Sequence, residues 1–119
     1  MGRATKSKDI TDGLSKTMAI GEKHLFTNRY ELGDWHDDIG WTDGWDPDIM
    51  RYTGYQPSPD VAQGRTNPTG SGFLFGASHT AGFNAVFADG HVTLVEYDID
   101  LVTFNAMGNR QDGLVVQVP

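Results

Sequence analysis

A chain of 119 residues suits one domain with a modest core, spanning 1–119. With 38% hydrophobic and 21% charged residues it falls in the globular class, not the disordered one, and no apolar run nears the ~18 residues of a membrane span. Sixteen acidic residues against nine basic ones give a net charge of −7, which opposes phosphate binding and excludes nucleic acid as a partner. The absence of cysteine rules out disulfides and thiolate chemistry.

The chain opens on a polar, basic stretch (1–8) with no apolar signal-peptide core, which predicts a flexible arm. The run Asp9-Ile10-Thr11-Asp12-Gly13-Leu14-Ser15-Lys16-Thr17 is turn-forming, because short polar side chains that cap amides surround a glycine. Met18-Ala19-Ile20-Gly21-Glu22 then reads as a short strand with Met18 and Ile20 on one face. Between 34 and 48, Trp35, Trp41 and Trp45 alternate with six aspartates and two glycines. Residues 56–72, with Pro57, Pro59 and Pro68, form a long loop; at that length a loop is functional or mobile.

The clearest local structure lies further on. Residues 83–88 and 91–97 flank Asp89-Gly90, a strong hairpin signal, since a two-residue turn needs positive φ at both positions. That register pairs Phe87 with Val92 and Ala85 with Leu94 on the core face. Asp98 is then a good N-cap for a helix over 99–107, with Asp100 in its first turn and Gly108-Asn109 as its stop. Residues 114–118 read as a final apolar strand, uncharged and prone to pair with an edge. The expected fold is α+β: a mainly antiparallel sheet, a C-terminal hairpin, one short helix and many turns.

Nine residues separate His79 from Asp89-Gly90 within the run from Phe75-Gly76-Ala77-Ser78 to Gly90. This spacing resembles the signature of a bacterial prepilin-type, pseudopilin-like family of unknown function. Three further segments resemble it in the same order: 9–17 leading to Gly21-Glu22, Gly40-Trp41-Thr42-Asp43-Gly44-Trp45-Asp46, and Ala106-Met107-Gly108-Asn109-Arg110-Gln111-Asp112-Gly113. The resemblance implies an extracellular or cell-surface protein. Such proteins usually begin with a prepilin leader and a long apolar helix, and this sequence starts at Met1 without that helix.

His79 and Asp89 invite reading as a catalytic dyad, but an intervening strand at ~3.3 Å per residue holds its ends roughly 20 Å apart, against a hydrogen-bond reach of ~3 Å. They are expected to be structural, with Asp89-Gly90 as the turn and His79 bonding its own loop. Gly76-Ala77-Ser78-His79-Thr80 has Thr80 where a nucleophile elbow needs glycine, and it precedes a strand instead of joining strand to helix. No catalytic residue is expected and the protein is read as a non-enzyme. His24, His36, His79 and His91 are scattered, and none has the close helical spacing of a zinc motif.

Calcium is the better metal candidate, since it takes six to eight oxygens from flexible acidic loops. Asp37, Asp38, Asp43, Asp46 and Asp48, with Asp34, supply such a cluster. The EF-hand pattern fails, with Ile39 in place of glycine and Trp45 in place of glutamate. The bland alternative makes these aspartates amide caps in a turn that the tryptophans anchor. A third reading stacks a surface glycan on exposed faces of Trp35, Trp41 and Trp45, and the burial of those rings decides between them. The leading expectation is a structural subunit or assembly module of a bacterial cell-surface appendage or fibre. It would act as a homo-oligomer or polymer through its strand edges, without inserting in a membrane. The alternative is a calcium- or glycan-binding surface module centred on 34–48.

Overall fold

A computed structural model describes residues 4–40, 44–111, 113–114 and 117–119. Strands β1 (Met18–Gly21), β2 (Gly82–Phe87) and β3 (Val92–Glu96) form one antiparallel sheet in the order β1-β2-β3. Among the described residues one α-helix, α1 (Leu101–Met107), follows, and short 3-10 turns occupy Ser7–Asp9 and Thr27–Arg29. This is the α+β arrangement that the pattern of short strands, turns and one helical segment predicted.

The hairpin differs from expectation by one residue. Val86 pairs with Val92, Ala85 with Thr93 and Asn84 with Leu94. The cause is the turn. Gly90 has φ +90°, while no residue other than glycine has positive φ among those described, so Asp89 cannot share a two-residue mirror-image turn. Gly90 N instead donates to Phe87 O at 2.9 Å and Phe87 N to His91 O at 3.0 Å. This is a three-residue loop, Ala88-Asp89-Gly90, with glycine in the left-handed position. A one-residue slip sends alternate side chains to the other face. Val95 is therefore in the core, whereas Val92 and Leu94 are 62% and 39% exposed.

Strand β1 also departs from simple alternation. Its register shifts between Met18 and Ile20, so Met18 faces the core side with Phe87 while Ile20 lies opposite Val86 and is 69% exposed. The extra residue of a bulge re-aims every side chain after it.

The core gathers Phe83, Ala85 and Phe87 of β2, Val95 of β3, Ala77, and Phe104 and Met107 of α1. Phe75 stacks on Phe83 at 5.5 Å between centroids and meets Phe104 edge-on at 5.9 Å, tying the loop before β2 to sheet and helix. Gly21 makes this possible, since a Cβ there would lie 2.8 Å from the Phe75 ring. Each fully buried phenylalanine contributes roughly 1.5–3 kcal/mol by leaving water.

The helix begins two residues later than predicted. Asp100, not Asp98, is its N-cap, with a carboxylate oxygen accepting from Thr103 N at 2.9 Å. Residues 97–99 are held outside the helix because Gln56 Nε2 donates to Tyr97 O and Ile99 O, both at 2.7 Å, and Ile99 N donates to Glu96 O. Gly108 ends the helix as expected. The predicted strand over 114–118 lies partly outside the described residues, and Leu114, Gln117 and Val118 are not in a strand. Val118 packs, half-buried, against the core.

Loop 56–72 is pinned at several points. Phe26 bridges Val61, Leu25 N donates to Asp60 Oδ1 at 2.8 Å, and Ser58 N donates to Phe75 O at 3.1 Å. The described part of the N-terminal arm is likewise engaged, since Thr5 Oγ1 meets the Arg110 guanidinium.

Candidate functional site

The motif residues fall into two groups that do not touch each other. His79, half-exposed beside the start of β2, places Nε2 3.6 Å from Glu22 Oε1 and 3.5 Å from the side-chain amide of Asn84. Glu22 Oε2 accepts from Asn84 N at 2.7 Å, and Tyr97 OH donates to His79 O at 2.8 Å. The imidazole thus lies against the exit of β1 and the side chain of Asn84 on β2, where a bond to its own loop was the expectation. Asp89, six residues of strand away, accepts from His91 N at 3.0 Å and lies 2.5 Å from His91 Nδ1. The His91 amide first of all holds the Asp89 carboxyl below its ordinary range. The His91 ring stacks on Phe87 at 4.6 Å.

The segments that looked scattered along the chain meet in space. Ala88 N and Asp89 N donate to Thr17 O and Leu14 O, docking the hairpin loop on the first turn segment. Thr11 N and Asp12 N donate to Arg110 O, and Gly113 N donates to Asp12 Oδ1 at 3.0 Å. Residues 9–22 therefore serve as a clasp between the hairpin and the post-helix segment.

The tryptophan- and aspartate-rich loop is organised from within. Asp48, 1% exposed, accepts from Asp38 N and Ile39 N, both at 3.0 Å, and Asp46 Oδ1 accepts from Asp48 N. Burial pushes the Asp48 carboxyl up, but the hydrogen bonds outweigh it and its pKa ends below the usual carboxylate range. Asp37 pairs with Lys23, whose Nζ also donates to Asp48 O at 3.0 Å. Three of the candidate calcium ligands are thus spent on amides and a lysine. Among the described residues no three His, Asp or Glu side chains stand together as a metal site; Asp43 lies outside those residues. Trp41 does as well, while Trp35 and Trp45 are 53% and 79% exposed. The expected anchoring is partial at Trp35, which lies edge-on to Phe73 at 5.5 Å, and Trp45 faces solvent.

Sequence reasoning missed a buried polar cluster behind this loop. His24 and His36 are 0% and 1% exposed, flank the Phe26 ring at 5.3 and 5.8 Å, and have no hydrogen-bond partner at any ring nitrogen. Arg51 is also buried, donating to the carbonyls of His36, Met50 and Pro47. Burial pushes both imidazoles and the guanidinium to lower pKa. Only the odd spacing of polar residues near Phe26 and Leu74 hinted at it, and that has no strand or helix period.

The family model described as protein of unknown function (DUF1559) matches residues 1–102. No curated protein and no solved structure matches the chain.

Proposed function

This chain belongs to the DUF1559 family, and we propose that it is a structural, non-enzymatic module of a bacterial cell-surface assembly that works by self-association. The prepilin-type resemblance of its motifs, read on the sequence, supports a place outside the cell. One observation carries the self-association. Ile20, Val86 and Val92 stand in register across the outer face of the three strands, with Ile20 and Val92 more than half exposed and Leu94 beside them. An apolar row of this kind gains by being covered.

Two strands of the sheet, β1 and β3, pair on one side only among the named strands. Such edges offer main-chain groups to a neighbouring copy. Negative-stain imaging and light scattering of the native chain test this. The expected result is oligomers or fibres that Ile20→Asp with Val92→Asp disperses to folded monomers. A native chain that stays monomeric at high concentration overturns it.

A second reading has a specific observation in its favour. The exposure of Trp35 and Trp45 supports a surface that stacks on glycan rings. The same loop gives calcium less support, because Asp37, Asp46 and Asp48 already have partners.

A further inference from the structure

Beside the helix, a groove of about 620 Å³ is lined by Tyr52, Thr53, Gly54, Tyr55, Phe73 and Asn105. A second groove of about 470 Å³ shares Gly54 and Tyr55 with it and continues past Pro57 and Leu101. Tyr55 is the ridge between the two. A ligand that filled both would have to be extended and run across that ring.

The walls are set in place by glycines. A Cβ on Gly70, whose φ is +81°, would stand 2.5 Å from the Tyr55 ring, and one on Gly108 would stand 2.1 Å from Thr53 Oγ1. Both side chains therefore lie directly on backbone. With one face against Gly70, the Tyr55 ring turns its other face outward. Phe73 holds the far wall, edge-on to Tyr52 and to Trp35, each at 5.5 Å. Side chains fixed in this way lose little freedom when a ligand binds.

The chemistry of the lining selects a ligand class. Charged residues make up 21% of the chain, yet no residue that lines either groove is charged. An ionic ligand would find no counter-charge there. Tyr52 and Tyr55 are 42% and 39% exposed, and neither hydroxyl has a hydrogen-bond partner among the described residues. Asn105 Oδ1 accepts from Thr53 Oγ1 at 3.4 Å, which leaves its amide N–H groups for a ligand. Flat aromatic faces with neutral donors and acceptors at their rims match the apolar faces and hydroxyl rims of pyranose rings. From this geometry we infer that the paired grooves bind a neutral, linear oligosaccharide across Tyr55. A proline-rich peptide also stacks on tyrosines. The unpaired hydroxyls and amide favour the hydroxyl-rich ligand. The inference deepens the glycan reading and moves its site from the tryptophan loop to the groove.

Calorimetric titration of the full chain with cellohexaose, maltohexaose and isomaltohexaose tests it, with decaproline as the peptide probe. At least one hexasaccharide should bind, and Tyr55→Ala or Tyr52→Ala should weaken it about tenfold, the loss of one stacking face. Trp45→Ala should change it less than about twofold, because Trp45 lines neither groove. Gly70→Ala, which keeps the ring but displaces it, should also weaken binding. If Tyr55→Ala does not fold, Tyr55→Phe and Asn105→Ala decide instead, since each removes a polar group without emptying the groove. Binding that survives the tyrosine variants but fails in Trp45→Ala overturns the groove and keeps the glycan reading. Binding of decaproline alone, or of no probe, overturns both.

Discussion

Glu22 and Asn84 exchange two hydrogen bonds across the exit of β1. Glu22 N donates to Asn84 O at 3.1 Å, and Glu22 Oε2 accepts from Asn84 N at 2.7 Å. A side chain here takes the place of a ladder carbonyl, so the sheet's register is fixed by a carboxylate just past its last paired residue. His79 then leans on the same carboxylate. Glu22→Ala should lower stability by about 1 kcal/mol, the usual worth of one hydrogen bond. His79→Ala should cost less than about 0.5 kcal/mol, since exposed ion pairs contribute little. Urea melts of the two variants check the order; an equal or larger loss at His79 would contradict it.

At the other end of β2, Gly90 meets no atom within 4 Å of where a Cβ would stand, so space does not require glycine there. Conformation does, with φ at +90°. Gly90→Val should destabilise by ~1 kcal/mol or more, because a β-branched residue resists positive φ. Gly90→Asn should cost distinctly less, as asparagine tolerates the left-handed region. Thermal melts that rank valine and asparagine together would show that the turn rearranges.

The hairpin's existence and the short helix were legible because each has a local cause: apolar runs around Asp89-Gly90, and a cap followed by a glycine stop. Their exact phase was not. The loop is one residue longer than the two-residue turn, and alternation alone cannot tell which face of 92–96 is buried when Val92, Leu94 and Val95 are all apolar. Asp98 and Asp100 are equally good caps by type, and Gln56, over forty residues away, chooses between them. The cluster of His24, His36 and Arg51 was illegible for a related reason. Its members come from loops and are assembled around Phe26 and Leu74 by long-range contacts, which leave no period in the sequence.

Three of the candidate calcium ligands are already engaged by other groups of the protein. Asp48 caps two amides, Asp46 a third, and Asp37 is paired to Lys23. A chelator should therefore leave the melting temperature unchanged, because a ligand stabilises only when it binds the native state. A fall in melting temperature with chelator, restored by added calcium, would contradict this. Asp48→Asn should be costly with or without calcium, since it weakens the charge-assisted bonds that the buried carboxylate accepts from Asp38 N and Ile39 N.

Acid should weaken the protein well before its carboxylates titrate. His24 and His36 are buried without ring hydrogen bonds, so folding lowers the pKa of both below the ordinary imidazole value of 6.5. His24 faces Asp60, His36 and Arg51; His36 faces Asp34, Asp37 and Arg51. The nearby carboxylates ease protonation, but burial dominates at both rings. The sign follows from linkage. Between the unfolded and folded pKa values the unfolded chain binds more protons, so stability falls as pH drops below about 6.5 and levels off once the folded imidazoles also protonate. Both histidines contribute to that fall. Asp48, with its lowered pKa, contributes stability that is present above the ordinary carboxylate value of 3.8 and lost at lower pH, a separate window. Melting temperatures taken from pH 7.5 down to 5.0 should fall steadily for the native chain. Replacing both rings by uncharged ones (His24→Phe with His36→Phe) should flatten that profile while leaving the fall below about pH 4 in place. A native profile already flat between 7.5 and 5.0 would mean that these imidazoles find hydrogen bonds or solvent when they charge.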